Sequence, residues 1–150
     1  MAHLVDSSLL IRHTNPFDAD FLVAANAIDR LHEQGERLRS TPQVFIEFRN
    51  VATRPAEVNG LDLSIADAEA RASIYEATFP LLPETPEIFA AWKSLVQAAG
   101  VTSKQVHDAR LVAICHADGV SHILTFSVRH FARLAAFGPG VTIVDPNEIG

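Results

Sequence analysis

The chain has a single cysteine, Cys115, in 150 residues, so no intrachain disulfide and no thiolate-rich zinc site can form, a usage that suits a reducing compartment. Long apolar runs are absent as well. No window approaches the roughly 20 apolar residues that span a bilayer, so no membrane partner is expected. Asp6, Ser7 and Ser8 break the stretch from Leu4 to Ile11, and no basic segment precedes it, which excludes a signal peptide. A cytoplasmic protein is the expectation. Positive charge is scarce: twelve Lys and Arg against eighteen Asp and Glu give a net charge of −6, the opposite of a broad basic field that attracts nucleic acid. The seven glycines, at 35, 60, 100, 119, 138, 140 and 150, form neither a dinucleotide fingerprint nor a phosphate loop. Both lysines, Lys93 and Lys104, fall in helical segments, which excludes a phosphoacceptor receiver. No two histidines have the i, i+4 spacing of a helical zinc pair, and Cys115 reads as a core thiol, not a nucleophile.

What is present is an ordinary globular composition, 48% apolar and 20% charged, expected to fold as one domain over residues 1–150. Its charge is uneven. Residues 101–137 carry a net +2 and four of the seven histidines, leaving −8 for the remainder. Short apolar strands are expected at His3–Val5, Arg37–Ser40, Phe79–Leu82, His122–Thr125 and Val141–Val144. Between them run amphipathic helices: Asp18, as N-cap, to Gln34; Thr41-Pro42 to Pro55; Ser64, with Asp67 as its capping-box partner, to Ala77; Thr85-Pro86 to Gly100; Ser103 to Asp118; and Arg129 to Ala136. Short strands alternating with longer helices imply an α/β fold with a mostly parallel sheet covered on both faces. Ligands of such sheets bind beyond the carboxyl ends of the strands, just after Val5, Ser40, Thr125 and Val144.

Three carboxylates stand out on position. Asp6 directly follows the first strand, where it is either an exposed functional group or the N-cap of the following turn. Glu47 shares a helix face with Gln43, Asn50 and Arg54, which fits a functional carboxylate or a solvated face with Arg54 as ionic partner. Asp108 lies in the first turns of a helix, where a carboxylate can simply complement the dipole. Position alone leaves all three open.

Four segments in order resemble the PIN-domain nucleases, and in particular the VapC-type toxins of bacterial toxin–antitoxin pairs. They are Leu4-Val5-Asp6-Ser7; Pro42-Gln43 with Glu47-Phe48-Arg49-Asn50-Val51-Ala52-Thr53-Arg54-Pro55; His107-Asp108-Ala109-Arg110-Leu111-Val112; and Leu124-Thr125-Phe126-Ser127-Val128-Arg129-His130-Phe131. The resemblance implies a PIN-like three-layer α/β/α fold. It also implies hydrolysis of RNA phosphodiesters with Mg²⁺ or Mn²⁺ held by Asp6, Glu47 and Asp108, an antitoxin protein as partner, and a homodimer. Ser127 stands where the family has Asp or Asn, and Ser8 where many relatives have Asn. An uncharged Ser127 would hold a second ion less tightly. Asp6 would be the central ligand, with Ser127 and Thr125 as hydrogen bonders around it.

The chemistry is consistent with that implication. Three carboxylates in one pocket repel one another unless a dication joins them, and magnesium favours hard oxygens while keeping several waters. Arg49, Arg110 and Arg129 are candidates for the RNA backbone or for ordinary ion pairs. His107 and His130 fit capping or packing better than proton transfer. Trp92, Phe89 and Tyr75 are expected on helix faces in the core or at an oligomer interface, not as base-stacking platforms. The alternatives are a PIN-like module that binds RNA or protein without turnover, with Ser127 as the reason, and a nuclease that prefers DNA.

Overall fold

Four short strands run parallel in the order β2-β1-β3-β4, in a computed structural model that describes residues 1–138 and 140–150. They are β1 (Ala2–Val5), β2 (Arg37–Arg39), β3 (His122–Leu124) and β4 (Thr142–Val144). Leu4 pairs with Arg39 on one side and Ile123 on the other, and Leu124 pairs with Val144. Leu4, Val5, Ile123 and Leu124 are wholly buried, so the two central strands need cover on both faces. Seven helices supply it among the described residues: α1 (Ser7–Thr14), α2 (Phe21–Glu33), α3 (Pro42–Thr53), α4 (Ile65–Thr78), α5 (Pro86–Ala99), α6 (Gln105–Asp118) and α7 (Val128–Ala135). The result is the expected three-layer α/β/α architecture. None of these helices is long and apolar enough to cross a membrane.

The helices begin where their cap chemistry puts them. Thr41 Oγ1 accepts from the Val44 amide at 3.2 Å, with Pro42 at the first helical position, and Ser64 Oγ accepts from the Asp67 amide at 3.0 Å. Two expectations are corrected. Asp18 is not the cap of α2: its Oδ1 accepts from the Asp20 amide at 2.8 Å, which spends the side chain on a turn and delays the helix to Phe21. Residues 79–82 are not a strand. Leu81 makes a lone parallel bridge to Ser40, because Pro80 and Pro83 lack the amide protons needed to extend a ladder.

Phe48, Phe79 and Phe131 are the largest fully buried side chains. Tyr75 joins the core, its hydroxyl 2.8 Å from His13 Nδ1 and 2.9 Å from Thr14 Oγ1, tying α4 to α1. At the amino end of the sheet His3 is buried and stacked on His122, ring centroids 4.5 Å apart. Burial and the neighbouring His122 lower its pKa to about 4.

Candidate active site

The carboxyl ends of β1 and β3 meet at Asp6. It occupies the N-cap position of α1, yet its carboxylate makes no capping bond. Instead Oδ2 accepts from Ser8 Oγ at 2.9 Å and from Thr125 Oγ1 at 2.8 Å. The two hydroxyls are oriented from behind: Ser8 Oγ accepts from the Phe126 amide at 3.1 Å and Thr125 Oγ1 from the Ser127 amide at 2.9 Å. Each hydroxyl has one proton, and both protons are given to Asp6, so the 3.4 Å approach of Ser8 Oγ to Thr125 Oγ1 is a contact rather than a bond. The buried Asp6 is thus fixed through one oxygen, and its Oδ1 carries no hydrogen bond among the described residues.

Glu47 faces Asp6 from α3. Its Oε2 accepts from Ser7 Oγ at 3.2 Å, and its Oε1 accepts from Gln43 Nε2 at 2.9 Å. Gln43 also donates to the His107 carbonyl at 2.7 Å and accepts from Arg110 Nη1 at 3.1 Å, pinning α3 to α6. Arg54 is not the partner of Glu47. Burial raises the Glu47 pKa, and the charge of Asp6 adds to the rise, against the bonds from Gln43 and Ser7.

Asp108 lies in the first turn of α6. Burial, then the charges of Asp6 and Glu47, push its carboxyl up to about 6, with His130 and His107 pulling the other way. A helix dipole would stabilise the charged form by about 0.3–1 kcal/mol, whereas a rise from 3.8 to about 6 amounts to roughly 3 kcal/mol before screening. Burial and repulsion therefore outweigh the dipole.

Glu47 and Asp108 line a cavity of about 510 Å³ with Gln43, Asn50, His107 and His130. Ser127 borders another hollow of about 310 Å³ with Arg129, His130, Asp145 and Asn147, and His130 lines both. Among the described residues no three His, Cys, Asp or Glu side chains form a ready-made ion cage. None of the three carboxylates has a Lys or Arg partner there either. Negative charge without a paired cation, presented on hard oxygens, suits a magnesium-type ion that keeps most of its waters and takes one or two carboxylates directly.

Sequence reasoning named Gln43 only as a neighbour of Glu47 and gave Ser7 no role. Gln43 was detectable from its i, i+4 spacing to Glu47. The Ser7 bond depends on how α1 meets α3 and has no local signal.

One consequence concerns stability. The raised pKa of Asp108 means the folded chain prefers it protonated. Its contribution is fully present below the unfolded value of 3.8 and is lost as pH rises through about 6. His3, lowered to about 4, works in the opposite sense, contributing stability above 6.5 that is lost as pH falls toward 4. The two trends offset each other in the wild type, so the comparison with Asp108→Asn isolates the carboxylate. In ion-free buffer at pH 7 the variant is expected to be about 1–2 kcal/mol more stable, after allowance for solvent screening, with the gain vanishing near pH 4. Urea unfolding between pH 4 and 7.5 measures it. A gain independent of pH would mean that charge repulsion at Asp108 is not its origin.

Comparison with known proteins bears on the fold. The family model described as PIN domain matches residues 3–136. Among solved structures, VapBC2 from Rickettsia felis bound to a promoter DNA fragment is similar with a TM-score of 0.71 at 10% identity, covering 97% of this chain and 98% of that one. VapBC-1 from nontypeable Haemophilus influenzae gives 0.70 at 12% identity, covering 99% and 100%. PAE2754 from Pyrobaculum aerophilum gives 0.59 at 20% identity, covering 96% and 90%. Curated protein sequences give no match.

Proposed function

Because the chain belongs to the PIN-domain family, we propose that it is a Mg²⁺- or Mn²⁺-dependent endoribonuclease, a toxin of the cytoplasm restrained by a protein antitoxin and paired with a second copy of itself. The observation that carries the reading is Asp6. A residue at a helix start with its side chain withdrawn from capping, buried, and supplied with two hydroxyl donors is held for chemistry rather than for local structure. The antitoxin partner is supported by the likeness to two VapBC structures.

In this reading Asp6 would hold the ion, while Ser8 and Thr125 keep the carboxylate from rotating. Glu47, oriented by Ser7 and Gln43, accepts a proton or a hydrogen bond from the attacking water. Asp108 completes the negative pocket from α6. A bound ion supplies Lewis acidity toward a phosphate oxygen and toward water. Arg49 and Arg110 are engaged by Glu69 and Glu84, so Arg129, which has no ion-pair partner among the described residues, is the arginine to meet the RNA backbone.

Single-stranded RNA incubated with the purified chain is expected to be cut internally with Mg²⁺ or Mn²⁺, to survive in EDTA, and to be cut again when the ion is restored. Cleavage unaffected by EDTA would refute the metal-dependent reading. The second reading, a binding module without turnover, is favoured by the uncharged Ser127. It predicts no cleavage under any ion and no Mn²⁺ uptake dependent on Asp6 in calorimetric titration.

A further inference from the structure

The hydrogen bonds of Gln43 run outward from the active site as well as into it. Both Nε2 protons are committed, to Glu47 Oε1 at 2.9 Å and to the His107 carbonyl at 2.7 Å, while Oε1 accepts from Arg110 Nη1 at 3.1 Å. The amide cannot turn over. Its oxygen faces a guanidinium that only donates, and its nitrogen faces a carboxylate and a carbonyl that only accept.

Arg110 is itself gripped from outside. Nη2 donates to Glu84 Oε2 at 2.6 Å and Nη1 to Glu84 Oε1 at 3.4 Å, which leaves the second Nη1 proton for Gln43. Glu84 stands just before α5 and, with Glu87, raises the pKa of Asp118, so the guanidinium is held on an acidic side of the molecule that repels phosphate. An isolated ion pair as open as this one, its side chains 36% and 40% exposed, contributes little to folding. Its reach sets it apart. Glu84, Arg110, Gln43 and Glu47 form one unbroken chain of hydrogen bonds from the surface to a carboxylate of the site. The other oxygen of that carboxylate is held by Ser7 at 3.2 Å, so Gln43 supplies the shorter of its two bonds. Gln43 also lines the cavity, and an amide released by Arg110 has open space to swing into.

We propose that Arg110, held by Glu84, is a positioning residue: it fixes the Gln43 amide and, through that amide, holds the Glu47 carboxylate toward Asp6. What Glu47 does there is taken from the nuclease reading; how it is held is not.

Arg110→Met keeps the length of the side chain and removes every donor. In RNA cleavage at saturating Mn²⁺ it is expected to lower kcat on the order of tenfold, the lower end of the range for residues that orient an active-site ligand, with KM unchanged. Glu84→Gln should act in the same direction and less strongly. Gln43→Ala should reproduce the Arg110→Met loss, and the two together should lose no more than either alone. A rise in KM with kcat intact would make Arg110 an RNA contact and overturn the proposal. Losses that multiply in the double variant, or a wild-type kcat in Arg110→Met, would overturn it as well. The side-chain amide signals of Gln43 in a ¹H–¹⁵N spectrum give a second reading that needs neither turnover nor ion. Arg110→Met and Glu84→Gln should move them toward the positions of a free amide while the backbone signals of the helices persist, and unmoved signals would refute the positioning role. The two readings fail separately: a wild type that cuts no RNA while these signals depend on Arg110 removes the nuclease, and one that cuts RNA while they ignore Arg110 removes the relay.

Discussion

Asp6→Asn is expected to reduce ion-dependent RNA cleavage on the order of 10²–10³-fold, the usual effect of deleting one preorganised electrostatic group from an active site. The substitution is unusually clean. Ser8 Oγ and Thr125 Oγ1 both donate to a single oxygen of Asp6, and the asparagine carbonyl can accept from both, so packing survives and only the charge and the free oxygen disappear. A second readout separates lost chemistry from lost structure. An ion that binds only the folded chain stabilises it by about 2.7 kcal/mol at a hundredfold excess over its dissociation constant. Wild type should show this as a rise in Tm with Mn²⁺, and Asp6→Asn should not. Equal cleavage by the two proteins would remove Asp6 from the centre of the site, and an equal Tm response would remove it as an ion ligand.

Phe48→Ala should cost about 3–5 kcal/mol of folding stability, the range for deleting a buried phenylalanine. Phe48 is wholly buried and meets Tyr75 edge-on at 5.6 Å, so its loss opens a void between α3 and α4 that the Tyr75 hydroxyl, tethered to α1 at Thr14, cannot move to fill. The neighbouring Ile46, 70% exposed, is the control: Ile46→Ala should change stability by less than about 0.5 kcal/mol. Denaturant unfolding of the pair tests whether α3 is anchored by its buried Phe48 face. Similar small losses for both variants would show that it is not.

The sequence was most legible where local chemistry decides the outcome. Thr41-Pro42 and the Ser64–Asp67 pair start helices by satisfying amide protons within three residues, and the apolar strand ending at Val5 placed Asp6 at the sheet edge. Legibility failed where the outcome depends on distant chain. Residues 79–82 have strand-like side chains, but two prolines leave only one bridge to Ser40. Asp18 suits a cap on residue type alone, and the turn that captures its side chain delays the helix instead. At the site, the choice between cap and functional carboxylate for Asp6 could not be made locally, since the hydroxyl that decides it, Thr125, is 119 residues away. The same holds for Glu47, whose bond to Ser7 spans 40 residues, and for the absence of the Arg54 pairing that helical spacing allowed.

That separation in the chain also sets when the site can assemble. A ribosome making this polypeptide finishes α1 and α3 long before β3 emerges, and until Thr125 and the Ser127 amide arrive, Ser8 is the one hydroxyl on Asp6. Nascent chains and fragments ending before residue 125 therefore lack one of the two hydroxyls that fix the Asp6 carboxylate. In the finished molecule β3 is paired on both sides, with β1 and β4, so the clamp it carries opens only when the centre of the sheet does.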